Sequence, residues 1–541
     1  MTQIETFNIA ARLAHWANQK PESVALIEMR SGRQRRFREL EQESSRLASG
    51  LIQFGMKSGE RVLLMVPYGI DFVTLTFAMF KAGLIPVLID PGLGKKNVLK
   101  CIKQVQPHGM IAIPLAHAIK KIFPGTFKSI QHNVTVGTRW FWGGASLNKL
   151  LDSGKTDFKM ASMEKEHPAA ILFTSGSTGP AKGVLFSHGI FNHQVKILQE
   201  QFDIQPDETD LPTFPLFGLF SSGLGMTSII PDMDSTKPAY VDPKNIIVPI
   251  QNFKISSSFG SPALWDTVSQ YCLDQNIQLP TLKRIIMAGG PVSGDLLARF
   301  ETIIDKGCKI YTPYGATEVL PVSLIDRREI LDETWSLSNQ GKGTCVGHPI
   351  PGVEIKIIEI SDQPILKWQD VTESAPNIVG EIVVRAAWAT RTYFNRQDLT
   401  QLAKIEDGNS FWHRMGDLGR LDEKNRLWFY GRKNQRVVTE FETLYTIPCE
   451  AIFNQHPDVK RSALVGTGYK TKPVIIIEPV ERIKSQAARQ KFTAELLERG
   501  AKSSLTQSIT KVLFHEEFPV DVRHNAKIFR EKLSFWAENQ K

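Results

Sequence analysis

One stretch constrains this chain more than any other: Ile171-Leu-Phe-Thr-Ser-Gly-Ser-Thr-Gly-Pro-Ala-Lys-Gly-Val184. An apolar run leads into ten positions, Thr174 to Gly183, that hold three glycines, four hydroxyl residues and one lysine. A buried strand ending in a donor-rich loop is the simplest physical reading. Glycines let backbone N–H groups approach an anion, hydroxyls add donors, and Lys182 adds a movable positive charge. That is chemistry for holding phosphate. Lys182 is followed by Gly183 and Val184, so the spacing departs from the P-loop pattern. A surface linker would not follow so apolar a strand.

With 541 residues, 42% of them hydrophobic and 22% charged, the chain is expected to form two or three globular domains. The net charge of +9 includes no compact Lys/Arg tract of the kind that marks a nucleic-acid arm. A basic surface with some preference for acidic substrates or anionic surfaces is what remains. The five cysteines are scattered without a CxxC pair, which argues against a disulfide framework or zinc site and suits a cytoplasmic location. The N-terminus lacks the pattern of a signal peptide. Two apolar stretches, Phe72 to Asp90 and Leu211 to Pro231, invite reading as membrane spans. The first carries Lys81 and Pro86 and reads as a helix running into a buried strand. The second carries prolines, glycines and hydroxyls and reads as protein interior lining an apolar pocket.

Residues 1–165 alternate helical patterns, Ala11–Gln19 and Leu40–Phe54, with apolar runs at Arg61–Val66 and Leu84–Ile89. This predicts a largely parallel α/β sheet. The pattern repeats from 171 to about 330, with strands expected at Ile255–Phe259, Arg284–Ala288 and Lys309–Thr312. The last two are expected to end in turns, Gly289-Gly290-Pro291 and Pro313-Tyr314-Gly315. Ligands collect at the carboxyl ends of such strands, so these ends predict one shared site. From about 345 to 430, short alternating runs predict an antiparallel β subdomain. A polar stretch at 431–436 then precedes a small α+β piece.

Four motifs occur in order: FTSGSTGPAKGV, YGATE at Tyr314–Glu318, GDLGRLDEKNRLWFYGRK at Gly416–Lys433, and a near-terminal lysine in NAKIFREKL. With them the chain resembles the adenylate-forming superfamily of acyl-CoA synthetases, luciferases and peptide-synthetase adenylation domains. The FPLFGLF segment, FWHRMGDLG, the Leu444–Thr446 turn and DVRHNAKIFREKL look most similar to the β-lactone synthetases of bacterial long-chain olefin biosynthesis. The resemblance implies a large adenylating domain, residues 1–430, made of two sheet-plus-helix subdomains and a β subdomain. A hinge at 431–436 and a small mobile α+β lid at 437–541 would follow.

The resemblance also implies site residues. Thr174, Ser175, Gly176, Ser177, Thr178, Gly179 and Lys182 would grip the β- and γ-phosphates of ATP. Gly289, Gly290 and Pro291 would lie against the adenine, on which Tyr314 would stack beside Gly315. Thr317 would touch the α-phosphate, and Glu318 would hold Mg²⁺, for which a carboxylate is a suitable ligand. Asp417 would bind the ribose hydroxyls, with Arg432 nearby. Lys527 would be the catalytic lysine bridging substrate carboxylate and α-phosphate.

Two departures from the superfamily pattern narrow the reading. Where many acyl-CoA synthetases carry an aromatic-His pair, this chain has Phe217-Gly218-Leu219-Phe220, an apolar wall suited to a long alkyl substrate. After Arg432 the usual pattern of two acidic hinge residues, an Ile-Lys pair and a Gly is absent: this chain has Asn434, Gln435, Val437 and Val438, with no Gly before Leu444, which counts against transfer to CoA. The expected reaction is adenylation of a long-chain 2-alkyl-3-hydroxy fatty acid, followed by attack of its own 3-hydroxyl to close a β-lactone. A fatty acyl-CoA or acyl-carrier ligase is the alternative, and a nonenzymatic nucleotide- or acyl-binding regulator is the alternative of another class. His188 or His193 could accept the hydroxyl proton, although a lone histidine is more often structural. Assembly with a thiolase-like condensing enzyme, a reductase and a lactone decarboxylase is implied by resemblance alone. No nucleic-acid partner or membrane span is expected.

Overall fold

Two sheets carry the site, and the central strands of the first are buried on both faces. The computed structural model describes residues 6–174, 181–468, 471–521 and 527–540. In the first sheet, strands Arg61–Met65, Ile85–Ile89, Gly109–Ala112, His132–Thr135 and Pro168–Thr174 run parallel, and Lys182–Ser187 closes one side antiparallel. Val62, Leu63, Val87, Ile111, Ile171 and Phe173 are almost wholly buried, as expected of strands covered by helices on both sides. Helix Phe37–Gln53 buries Phe37, Leu40, Ser44, Leu47 and Leu51, the spacing of one helical face, and Glu39 accepts from the Arg36 backbone N–H to close its first turn. Helix Ile70–Lys81 is buried on all sides, so Lys81 needs partners, and its Nζ reaches Glu41 at 2.6 Å and Ser45 Oγ at 2.9 Å.

The second sheet begins with parallel strands Val24–Glu28, Thr227–Ile230, Thr209–Pro212, Ser257–Gly260, Arg284–Met287 and Lys309–Ala316. It then continues, antiparallel, through Val319–Asp326, Thr344–Pro349, Leu427–Arg432, Ser410–Leu421, Gly380–Ala386 and Val353–Ile358. The β subdomain expected after 345 is thus joined to the second sheet, because Thr344–Pro349 pairs with a strand on each side. Serine caps at Ser187, Ser261 and Ser293 start the helices that follow three strands, each accepting a backbone N–H of the first turn.

Three local expectations change. The strand leading into the glycine-rich loop pairs with Ile85–Ile89, so it belongs to the first sheet and the second begins after Ser187. Val24–Glu28 crosses over to pair with Thr227–Ile230. Pro313, Tyr314 and Gly315 lie inside strand Lys309–Ala316 rather than in a turn, because the hairpin partner Val319–Asp326 continues past the point where the parallel neighbour stops. A Cβ on Gly315 would sit 2.6 Å from the Val319 carbonyl, so this close hairpin demands glycine.

Leu211–Pro231 is interior, split into strand Thr209–Pro212, helix Pro215–Gly223 and strand Thr227–Ile230. No helix among the described residues is long and apolar enough to cross a membrane. From Val437 onward a separate core forms. Val459–Thr467, Lys472–Pro479 and Lys511–Phe514 make a three-stranded sheet, with Phe453, Leu464, Ile475 and Leu496 packed on one face and Phe518 and Leu533 on the other.

Candidate active site

The carboxyl ends of both sheets open on one cavity of about 1580 Å³. That exceeds the roughly 300–1,000 Å³ of ordinary small-molecule pockets, which is room for a nucleotide and a large second substrate together. Gly289, Gly290, Pro291, Tyr314, Gly315, Thr317, Glu318, Lys182, Asp417, Arg432 and Lys527 all line it. Residues the sequence scatters from the first sheet to the final helix are therefore brought together. Ser175, Gly176, Ser177, Thr178 and Gly179 lie outside the described residues. For Thr174 only the backbone is described, paired with Lys182 across the hairpin.

At one end of the cavity, Asp417 and Arg432 face each other as register partners on neighbouring strands. Arg432 Nη1 lies 2.9 Å from Asp417 Oδ1, and the Tyr314 hydroxyl donates to Oδ2 at 2.6 Å. Asp417 is 3% exposed, and burial pushes its carboxyl above the ordinary range against the pull of Arg432 and Tyr314. Oδ1 has the ion pair but no aligned hydrogen-bond donor, which leaves it able to accept from a hydroxyl. Gly289, at φ 95°, turns the backbone where the strand before it ends, a conformation that favours glycine.

Glu318 sits in the tight turn between the two hairpin strands, within a buried cluster. It accepts from the Tyr393 hydroxyl, and its backbone carbonyl accepts from Thr390 N–H at 2.8 Å. Thr390 in turn accepts from Lys404 Nζ. Burial alone would raise the Glu318 carboxyl. Its neighbours His413, Tyr393 and Lys404 outweigh that and hold it below the usual carboxylate range, so it stays ionised. Burial drives Lys404 down to about 7 and, with the Lys404 charge, His413 down to about 3. Lys182 Nζ stands 5.0 Å from the Tyr393 ring centroid, a cation–π contact, and burial lowers its value against the pull of Glu318.

This donor set fits MgATP. Mg²⁺ keeps a near-octahedral shell and is commonly held by one or two carboxylates plus substrate phosphates, so an ionised Glu318 with Lys182 in the same cavity is suitable. The open Oδ1 of Asp417 suits a ribose hydroxyl.

The other end of the cavity is apolar. Phe191, Phe214, Phe217, Phe220 and Phe259 line it, with the Phe217 and Phe259 rings stacked at 3.4 Å between centroids. The Phe217–Phe220 segment is the expected apolar wall. Behind it lies a polar layer the sequence did not announce: Asp210, pushed up to about 6 by burial, accepts from Ser221 at 2.6 Å. Tyr68 presses its hydroxyl against Gly218, where a Cβ would come within 1.9 Å. His188 and His193 do not line the cavity. His188 Nδ1 accepts the Ile9 N–H, and His193 Nδ1 is bonded to the Gly189 carbonyl.

Tyr393, Lys404 and His413 were missed as a unit. His413 stands inside a quoted motif, but Tyr393 and Lys404 carry no local signal. A second buried network, Glu381 with Arg414 at 2.6 Å and Lys433 at 3.1 Å, fixes the strand that presents Asp417.

Fold and site together define an adenylate-forming enzyme. Residues 13–394 match the family described as AMP-binding enzyme. The O-succinylbenzoate coenzyme A synthetase of Bacillus subtilis, solved with ATP and magnesium ion, shares the fold with a TM-score of 0.75 at 20% identity over 96% of this chain and 98% of that one. The olefin beta-lactone synthetase of Xanthomonas campestris pv. campestris is 41% identical over 99% of this chain and 98% of its own length. That of Stenotrophomonas maltophilia is 40% identical over 98% of each. The chain belongs to the AMP-binding enzymes and, among them, to the family of the olefin beta-lactone synthetases.

Proposed function

We propose that this enzyme adenylates a long-chain 2-alkyl-3-hydroxy carboxylic acid and closes it to a β-lactone, releasing pyrophosphate and AMP. The observation that carries this reading is the single cavity: Lys182, Glu318, Asp417 and Lys527 at one end, a wall of phenylalanines at the other. The full-length identity to two olefin beta-lactone synthetases supports the choice of second step.

In the first step a substrate carboxylate oxygen bonds to the α-phosphorus of ATP, and the bond to pyrophosphate breaks. Lys527 would offset charge at the carboxylate and α-phosphate, Thr317 would donate to the latter, and Lys182 would offset charge on the outer phosphates. Glu318 would hold Mg²⁺, which supplies further charge neutralisation on the phosphates. Tyr314 and the Gly289–Pro291 backbone would flank the adenine, and Asp417 with Arg432 would fix the ribose. In the second step the 3-hydroxyl oxygen bonds to the activated carbonyl carbon, the carbonyl–AMP bond breaks, and the hydroxyl proton is released. Apolar walls that hold both alkyl chains would keep hydroxyl and carbonyl together, giving an intramolecular advantage.

We further assign residues 1–430 to the adenylating domain, 431–436 to the hinge and 437–541 to a mobile lid. The separate core after Val437 supports this division, as does the tether of Lys433 to Ser361 O at 2.6 Å and to Glu381. A reductase would supply the 3-hydroxy acid and a decarboxylase would consume the lactone, in the cytoplasm.

The test is mass spectrometry of products from ATP, Mg²⁺ and a synthetic 2-alkyl-3-hydroxy acid, with and without CoA. A dehydrated product of lactone mass formed without CoA, alongside AMP, is expected. A thioester formed only with CoA would replace this reading with an acyl-CoA ligase.

A further inference from the structure

Between Asp90 and Asp152 the sequence holds nine Lys or Arg residues and no Asp or Glu. That excess equals the +9 of the whole chain, so the rest of the protein is balanced and this segment carries the imbalance. The same segment presents four of the exposed large apolar side chains among the described residues. In helix Pro114–Ile122, Leu115 is 67% and Ile122 68% exposed; in the loop that follows strand His132–Thr135, Trp140 is 57% and Phe141 84% exposed.

The loop is tied to the helix by a fixed base. Trp142 stacks on His117 of the helix at 5.4 Å between centroids and donates its Nε1–H to Thr135 Oγ1 at 2.9 Å. Trp140 and Phe141 stand 5.4 and 5.8 Å from Trp142, so the loop is pinned to the helix while its other two rings point outward. Cations rim the patch. Lys121 is exposed on the helix, the exposed Arg139 precedes the aromatic run, and Lys95 Nζ reaches over the Phe123 ring at the helix end, while Lys120 is half-buried and donates to Asn133 Oδ1 at 2.6 Å. Leu115, Ala116 and Ile119 of this helix, with Val136 beside it, also line the large cavity. Leu115 is therefore both cavity wall and outer surface: the cavity opens at the patch.

We propose that helix Pro114–Ile122 and the loop 137–144 dock on an anionic lipid leaflet, at the mouth of the cavity. Tryptophan and phenylalanine with aliphatic side chains insert at the headgroup boundary, and lysines around them meet anionic headgroups. An acidic macromolecule is the competing occupant, and the test separates it from a leaflet. Docking itself is independent of the reaction. That the leaflet delivers the long-chain acid into the cavity rests on the function proposed above.

The full-length protein, without substrate, is floated with phosphatidylcholine vesicles containing about a third phosphatidylglycerol, and with phosphatidylcholine alone. Binding to the anionic vesicles only is expected. Each lysine or arginine near a charged leaflet contributes about a fivefold factor, so Lys121→Glu with Arg139→Glu should weaken binding by at least about 25-fold. Trp140→Ser with Phe141→Ser should also abolish flotation, whereas Tyr240→Ser, another exposed aromatic, should not. Turnover of a short, water-soluble 3-hydroxy acid in vesicle-free buffer should be unchanged in every variant. Failure of the parent to float, or flotation that survives both double substitutions, overturns the proposal. So does binding to polyglutamate or RNA without binding to vesicles, which would assign the patch to an acidic macromolecule. Vesicle binding and soluble turnover are read separately, so failure of the lactone reading leaves the docking test intact.

Discussion

The hydrogen bond between Tyr314 and Asp417 ties the residue proposed to face the adenine to the residue proposed to hold the ribose, and Tyr314→Phe removes it while keeping the ring. Asp417 is 3% exposed, so its carboxylate cannot replace the lost donor with bulk water. Hydrogen bonds to charged groups contribute about 1.5–3 kcal/mol and neutral ones about 0.5–1.5. Tyr314→Phe should therefore cost about 1.5–3 kcal/mol in the parent and about 1 kcal/mol less in an Asp417→Asn background. The pH dependence has a defined sign. Burial raises the Asp417 carboxyl, so its ionisation costs folded-state stability as pH climbs through the folded value, and the Tyr314 donor offsets part of that cost. The deficit of Tyr314→Phe should thus be smallest near pH 4, where the free carboxyl titrates, and largest at neutral pH. Urea unfolding of the parent, both single variants and the double variant, followed at the transition of the large N-terminal part, measures the cycle. If the two substitutions add to within about 0.5 kcal/mol, or the deficit is flat with pH, the coupling argued here is refuted.

Lys527→Ala should lower acid-dependent ATP consumption about a hundred- to a thousandfold; unaltered turnover would remove the lysine from the mechanism. Lys404→Met takes away a cation that keeps buried Glu318 ionised, so the acid limb of the activity profile should move to higher pH. Because folding pushes Lys404 down to about 7, the unfolded chain binds more protons above that value. The parent should therefore gain stability from about pH 7 towards the ordinary lysine value near 10.4, and Lys404→Met should lose that gain. Glu381→Gln leaves Arg414, 3% exposed, and Lys433 without their carboxylate, a change that should cost about 3–5 kcal/mol in urea unfolding.

The two buried networks divide the work of positioning. Glu381, Arg414 and Lys433 lock the strand that presents Asp417 to the start of the polar connector at Lys433–Gln435. Within the C-terminal part, Arg530 pairs with Glu450 at 2.6 Å and donates to Gln435 at 3.1 Å, so the same connector is held from the other side. A connector anchored at both ends concentrates any relative movement into the few residues between, which supports the hinge proposed at 431–436.

By itself the sequence determined the local chemistry. A glycine- and hydroxyl-rich stretch with one lysine, the Tyr314–Glu318 run and the Gly416-Asp417 pair are short-range patterns, each written contiguously in the chain. It also determined that Leu211–Pro231 is interior, because prolines and glycines interrupt it at the spacing of separate elements. Tertiary structure decided what depends on distance. Thr344–Pro349 pairs on both sides and fuses two expected subdomains into one sheet, and strand Val24–Glu28 leaves the half in which it is encoded. Tyr393 and Lys404 reach Glu318 only through the fold, and the ionisation of that carboxylate depends on them. Desolvation and charge act through space, from every element packed against a group, and the neighbours of a residue along the chain carry no record of them.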